Sequence, residues 1–366
     1  MGRSLKKCEE HSMSASPRSK RSIKANIIDE KSFNDVNDLA ILEDSKKINA
    51  FLDSIRKKGF KRELVPATSK SLKSVLALKT PFPNFSEVID FVHGHMTLCL
   101  MSTPSFFKMP PIALGGDAGV GKTQFCKALS DAICIPFEFN SCSTNNAEFL
   151  ISGLDKGFNT GSPGIVAKYF QLNDVGNPLF IMDEFEKPSQ TPRGNVGGTF
   201  HGPFFTLLES NSADQFEDNF LKIRFDTSYI NWVMTVNDFE DLPVPIQSRL
   251  TYFHIASPSA SQLTAIAKSI YKSLTQEYWI KRRIRFSEEL SPSVLDALKI
   301  SNPREIRKAL ETAITECVKS MYSPQISKRE LLEKDLVLTE QFITITKNEE
   351  SDKKYFNGIG FMANSL

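Results

Sequence analysis

Residues 114–123 read LGGDAGVGKT, and within them 116–123 fit G-x-x-x-x-G-K-[ST] in full. Glycines let a chain turn so that successive N–H groups point inward as an anion nest. A helix beginning at the far end of the turn adds the positive end of its dipole. The flanks suit that geometry, since PPIAL (110–114) precedes the turn as a strand and KTQFCKALSDAI (122–133) follows it as a helix. On this reading Gly116, Asp117, Ala118, Gly119, Val120, Gly121, Lys122, Thr123 and Gln124 form a nucleotide cradle. Lys122 reaches the β- and γ-phosphates, and the Thr123 hydroxyl serves Mg²⁺.

Working outward, the strand-length apolar runs PPIAL, IPFEFN, PLFIM, INWVMTV and YFHIA alternate with helical patterns. Runs of this kind belong to parallel strands buried on both faces. The third run ends in Asp183 and Glu184, two acids at the carboxyl edge of the sheet, where α/β folds bind ligands. Asp183 is placed to hold the Mg²⁺ shell, and Glu184 to orient and deprotonate an attacking water. The fourth run delivers Asn237, whose neutral amide can hydrogen-bond a γ-phosphate or the water without adding negative charge beside Glu184. Twelve residues on, LPVPIQSRL presents Arg249 after a proline-stiffened loop, where it can reach a neighbouring subunit's γ-phosphate. The bland reading of Arg249 is a surface ion pair worth ~0–1 kcal/mol.

After residue 257 the pattern turns helical. In NPREIRKALETAITECVKSMY, Asn302 suits a cap, Pro303 the first turn, and Ile306, Leu310, Ile314 and Val318 one apolar stripe. Arg304, at the start of that helix, either touches the nucleotide from the lid side or faces solvent. The fold class is α/β: a P-loop three-layer αβα domain with a five-stranded parallel sheet, followed by a small helical lid. The expected divisions are a basic, partly disordered region with short helices over 1–75, the sheet domain over 76–257, the lid over 258–345 and a flexible tail over 346–366.

Composition narrows the partners. Lys plus Arg number 45 against 43 Asp plus Glu, a net charge of +2 that by itself gives no reason to expect nucleic acid or a membrane. Two local basic stretches, near the start and in IRKKGFKRELVPATSKSLK, admit a nucleic-acid-binding reading. A solvated linker is preferred, because the first arm has no aromatic residues to stack on bases. Six scattered cysteines without a C-x-x-C pair read as reduced thiols in a cytoplasmic protein. The N-terminus lacks the apolar segment of a secretory signal, and no apolar run approaches the ~20 residues that span a bilayer. His93 and His95, in VIDFVHGHMTLCL, have no third ligand nearby and read as helix residues rather than a metal site.

The ordered set GDAGVGKT, FIMDE, TVN, PIQSR and NPREIR resembles the AAA+ ATPases over 111–322, and within them most the ATPase module of Lon proteases. FEDNFLKIRFDTSYINWVMTVND is similar to the Lon pattern in which F-x-D-x-x-L leads to F-D-x-S before the sensor strand. LPVPIQSRL is similar to Lon's I-P-x-P-L-x-x-R, and GFNTGSPGIV to its aromatic, glycine and P-G loop. The resemblance implies phosphate-loop roles for Lys122 and Thr123, Mg²⁺ binding by Thr123 and Asp183, and Glu184 as catalytic base. It further implies Asn237 as sensor 1, Arg249 as arginine finger and Arg304 as sensor 2. It also implies ATP and Mg²⁺ as cofactors and a hexameric ring of like subunits acting on a protein, with a nucleic-acid-directed ATPase as the alternative. Phe158, in GFNTG, falls where the family carries its aromatic channel residue; a ring tucked into its own subunit is the equal alternative. Departures accompany the likeness. The chain ends some 60 residues beyond Arg304, which leaves no room for Lon's Ser–Lys protease domain, and RGNVGGTFHGPFF holds a glycine-rich insertion after DEFEK.

Overall fold

The structure, a computed structural model, describes residues 22–43, 46–143, 148–154, 161–187, 200–282, 284–299, 302–321, 335–339, 341 and 343. Two units are distinct, Met1–Gln262 and Leu263–Leu366.

The first unit opens with β1 (Ile23–Asn26), α1 (Glu30–Glu43), α2 (Lys46–Lys58), β2 (Lys61–Leu64), α3 (Ser69–Ala77) and α4 (Ser86–Met101). Then follow β3 (Ile112–Gly115), α5 (Lys122–Ile133), β4 (Phe137–Ser141), α6 (Glu148–Ser152), α7 (Ile165–Leu172) and β5 (Leu179–Asp183). It closes with α8 (Gly202–Leu207), β6 (Phe216–Glu217), β7 (Arg224–Phe225), β8 (Asn231–Thr235), α9 (Val244–Gln247) and β9 (Thr251–His254). Five strands form a parallel sheet ordered β4-β5-β8-β3-β9. These are the five runs that the sequence marks.

Alternation along each strand sorts residues between two cores, as the period of two requires. Ile112, Leu114, Leu179, Ile181 and Val233 face one layer, with Val75 of α3, Val92 of α4 and Phe125 and Leu129 of α5. Ala113, Phe180, Met182, Trp232 and Met234 face the other, with Val166 and Phe170 of α7 and Phe204 of α8. Because both faces are covered, every residue of β3 and β8 is buried, and this is why the runs are nearly uniformly apolar.

The expected arm lies almost wholly outside the described residues, and the short helices expected within 1–75 are α1 and α2; β1 pairs antiparallel with β2, and Ile27, Ile28, Phe33, Phe51, Leu52 and Ile55 enter the same core as Phe180 and Trp232. The second basic stretch is no solvated linker. Arg62, on β2, is buried and donates through Nη1 to the carbonyls of Gly59 (2.7 Å) and Lys61 (2.9 Å) and through Nη2 to that of Phe170 (2.7 Å). Three main-chain acceptors engage both Nη atoms of a cation that burial would otherwise make costly, while the buried Nε has no hydrogen-bond partner among the described residues. Burial pushes the Arg62 pKa down, against the pull of Asp174.

The β6–β7 hairpin gives the F-x-D-x-x-L run a physical reason. Asp218 is fully buried; its Oδ1 accepts from the N–H of Phe220 (3.0 Å) and Leu221 (2.9 Å), and its Oδ2 from Gly164 N–H (2.7 Å). It therefore ties the hairpin turn to the start of α7. Burial raises its pKa to about 6, against the opposing effect of those donors.

The second unit comprises α10 (Ala260–Arg282), which starts just before its boundary, then β10 (Arg285–Phe286), α11 (Pro292–Leu298), α12 (Pro303–Met321) and β11 (Asp335–Leu336). Asn302 Oδ1 accepts from Glu305 N–H at 3.0 Å, capping α12. Ile306, Leu310 and Ile314 are buried, with Val318 packed beside them. The parallel β10–β11 pair goes beyond the purely helical expectation for this region.

Candidate nucleotide site

β3 ends at Gly115, and the chain then turns before α5 begins at Lys122. Two glycines are required by the backbone. Gly116 has φ of 135°, and a Cβ there would run into the Ile255 carbonyl; Gly121, at the start of α5, has φ of 106°. Lys122 is buried, and its Nζ donates to the carbonyl of Gly116, to that of Asp117 (3.2 Å) and to Asn237 Oδ1 (3.3 Å). Beneath the turn, Phe85 stacks on Phe125 at 4.4 Å, and Asn84 Nδ2 donates to Ala256 O at 3.2 Å. Asp117, Ala118 and Gln124 are exposed, whereas Val120 is buried.

Register brings the other groups to this edge. Ser141 stands opposite Asp183, Met182 opposite Met234, and Leu114 opposite Thr235, so β3, β5 and β8 end together. Asp183 Oδ1 accepts from the hydroxyls of Thr123 (2.9 Å) and Thr235 (2.5 Å). Thr235 Oγ1 in turn accepts from Glu184 N–H at 3.2 Å. Glu184 has φ of 56°, in the left-handed region that non-glycine residues adopt at a cost, often at functional sites. Its Oε1 pairs with Lys187 Nζ at 2.5 Å.

Asn237 is held on both sides. Its Nδ2 and main-chain N–H donate to Glu186 Oε1 at 2.9 and 3.2 Å, and its Oδ1 accepts from Lys122. A carboxylate only accepts, so the amide nitrogen must face Glu186 and the oxygen must face the lysine. The buried Glu186 thus stands against the neutral amide of Asn237. Glu186, Thr235 and Lys187 were missed. Their signals in the sequence are faint: a further acid in DEFEK and a hydroxyl at the end of a strand.

Arg249 lies elsewhere. It precedes β9 by two residues, and Thr251 stands opposite Ile112 at the beginning of β3. The four residues of each strand, ~13 Å at the usual rise, separate this amino end from the turn that holds Lys122. There Arg249 pairs with Glu209. Arg304 is exposed on the first turn of α12, in the second unit. Phe158 and most of the glycine-rich insertion lie outside the described residues. His95 packs on Phe91 at 4.5 Å within α4, and its pKa is lowered by burial. Among the described residues no group of three or more His, Cys, Asp or Glu suits a metal. Burial also raises the thiol pKa of Cys126 and Cys142.

The donor set fits a magnesium nucleotide. Thr123 and Asp183 offer a hydroxyl and a carboxylate, hard oxygen donors of the kind Mg²⁺ takes. The glycine-cornered turn with Lys122 offers N–H groups and one cation to phosphate. A parallel sheet of this order, with this turn between β3 and α5, defines a P-loop αβα protein.

No protein-family model matches the chain. A Lon protease of Malacoplasma penetrans is 23% identical over 253 residues, covering 68% of this chain and 32% of that protein. A Lon protease of Clostridium acetobutylicum is 27% identical over 183 residues, 50% of this chain and 23% of that protein. A Lon protease of Ureaplasma parvum is 29% identical over 162 residues, 44% of this chain and 20% of that protein. Among solved structures, a point mutant of Thermotoga maritima RuvB aligns with a TM-score of 0.40 at 12% identity, over 66% of this chain and 67% of that one. Over 44 to 68% of its own length the chain is similar to these Lon proteases. Its match spans about a third or less of the length of these Lon relatives.

Proposed function

We propose that the protein hydrolyses ATP in a hexameric ring of like subunits and uses the energy to remodel or thread a protein. The observation that carries this reading is the separation of Arg249 from Lys122 by the length of the sheet. A cation in that position has no phosphate of its own subunit to serve, and it suits a neighbour's. Lys122 and the N–H groups of 116–121 bind the phosphates, and Thr123 and Asp183 hold Mg²⁺. When bound, Mg²⁺ neutralises charge on the transferred phosphoryl group. Glu184 orients and deprotonates water, and Thr235 fixes the backbone from which it projects. Asn237 senses the γ-phosphate through its link to Lys122, and Arg304 keeps the sensor role that the resemblance implies. The Lon relatives support a protein substrate and a ring, and Phe158 remains a proposed channel residue. The buried thiols of Cys126 and Cys142, outside any disulfide, support a cytoplasmic setting, and no described helix is long and apolar enough to cross a membrane.

The nucleic-acid-directed alternative draws less support, because much of the second basic stretch is engaged within the chain. Arg56 pairs with Asp53, Lys58 with Asp174, and Arg62 with main-chain carbonyls.

Steady-state hydrolysis measured against protein concentration tests the shared site. Specific activity is expected to rise as subunits assemble. Arg249→Ala should lower turnover by roughly 10³-fold or more, and Glu184→Gln by roughly 10²- to 10⁴-fold. Full activity in a dilute monomer, or wild-type turnover in Arg249→Ala, overturns the reading.

A further inference from the structure

Arg249 is gripped on three sides by its own subunit. Nε donates to Glu209 Oε2 at 2.9 Å, and Nη2 donates to the same oxygen. Nη1 donates to the Pro245 carbonyl at 2.6 Å. The Phe205 ring lies 5.7 Å from the guanidinium carbon. Phe205 belongs to α8 and Glu209 follows it, whereas Pro245 belongs to α9, so the grip joins two elements far apart in sequence.

A guanidinium carries five N–H donors. The contacts just described take three of them, leaving one on Nη1 and one on Nη2. Those two remaining donors are left for an anionic partner such as a phosphate or carboxylate. The side chains of Arg249 and Glu209 are 27% and 43% exposed, and a pair so exposed contributes little to stability. Its main physical effect is orientation. A long side chain that would otherwise sample many rotamers is held in one, so that less freedom is lost when it meets its target.

We propose that Glu209 is a positioning residue for the shared site, acting through Arg249 to aim its remaining donors at the neighbouring subunit's γ-phosphate. This rests on the shared-site reading above. Glu209 stands beside Arg249 at the amino end of β9, a strand's length from the turn that precedes Lys122. Its main-chain carbonyl accepts from Ser212 and Ala213, and side-chain substitution leaves those bonds in place.

The test is a double-mutant cycle on the assembled full chain, with kcat and KM for ATP, the thermal midpoint and subunit assembly measured together. Glu209→Ala should lower kcat roughly 3- to 10-fold, the effect of releasing one immobilised side chain, with KM, midpoint and assembly unchanged. Glu209→Gln, which keeps an acceptor for Nε, should fall between wild type and Glu209→Ala. In an Arg249→Ala background, Glu209→Ala should have no further effect. Three results overturn the inference: wild-type kcat in Glu209→Ala, faster turnover in Glu209→Ala, or an equal fold-loss in the Arg249→Ala background. Failure of the underlying reading looks different, because Arg249→Ala would then itself turn over at the wild-type rate.

Discussion

The two ends of the central sheet are built on opposite plans. At the carboxyl end, β3, β5 and β8 finish together, and charges of both signs converge in two hydrogen-bonded sets: Lys122 and Glu186 joined through Asn237, and Asp183 with the hydroxyls of Thr123 and Thr235. At the amino end, beside β9, one cation is clamped by one carboxylate, and the phosphate-binding turn is a strand's length away. The first arrangement makes chemical sense within a single chain. The second makes sense under the proposed function only when another chain completes it. A ring built this way places binding and activation on different subunits, so loss of a contact between neighbours costs turnover before it costs nucleotide affinity.

That contrast breaks most readily at Lys122. Lys122→Ala should reduce kcat/KM by roughly 10²- to 10³-fold and weaken nucleotide binding to dilute subunits, read by fluorescence titration. Arg249→Ala should leave that dilute-subunit affinity unchanged. Equal weakening by both substitutions would mean that the two ends serve one chain. A smaller effect is expected at Thr235, whose hydroxyl donates to Asp183 and accepts from Glu184 N–H. Thr235→Val removes the part-buried Glu184 N–H's bond to this hydroxyl and leaves Asp183 Oδ1 with the Thr123 hydroxyl, which should lower unfolding stability by about 0.5–1.5 kcal/mol in denaturant melts, and lower kcat more than it raises KM.

The smallest effect is one of stability without chemistry, at Asp218, remote from both networks. The folded-state pKa of Asp218 is raised to about 6, above the ordinary aspartate value of about 3.9. Its contribution to stability is therefore fully present below about pH 3.9 and is lost as pH rises through 6. Wild-type stability relative to Asp218→Asn should fall over that window by up to about 1.4 kcal/mol per pH unit. Paired melts between pH 4 and 7 measure this, and a gap that is flat or widens with pH contradicts it.

Why some of this was legible and some was not follows from where the partners lie. The three inner strands could be read because burial on both faces writes nearly uniform apolar runs into the sequence; the edge strands β4 and β9 are only partly buried, yet their runs also became strands. The turn at 116–121 could be read because backbone geometry dictates its glycines. Glu186 and Thr235 were hidden because their partners, Asn237 and Asp183, stand some fifty residues away. Arg62 misled through its chemistry, since a basic stretch suggests solvent. The alternation in KREL was the better guide, because it puts Arg62 and Leu64 on one inward face. The ion pair between Arg249 and Glu209 was anticipated only as the bland alternative, and it exists alongside the proposed role rather than in place of it.

The burial of β1, α2 and β2 sets the smallest piece of this chain that can be handled by itself. Cutting at residue 75 would strip Ile27, Ile28, Phe33, Phe51, Leu52 and Ile55 from the core behind Phe180 and Trp232. At about 1.5–3 kcal/mol for each large side chain, six such losses match or exceed the ~5–15 kcal/mol that holds a typical domain together. A shortened protein meant to isolate the sheet unit must therefore begin at or before residue 22. A loss of activity on cutting further in reports an opened core and says nothing about what the basic residues bind.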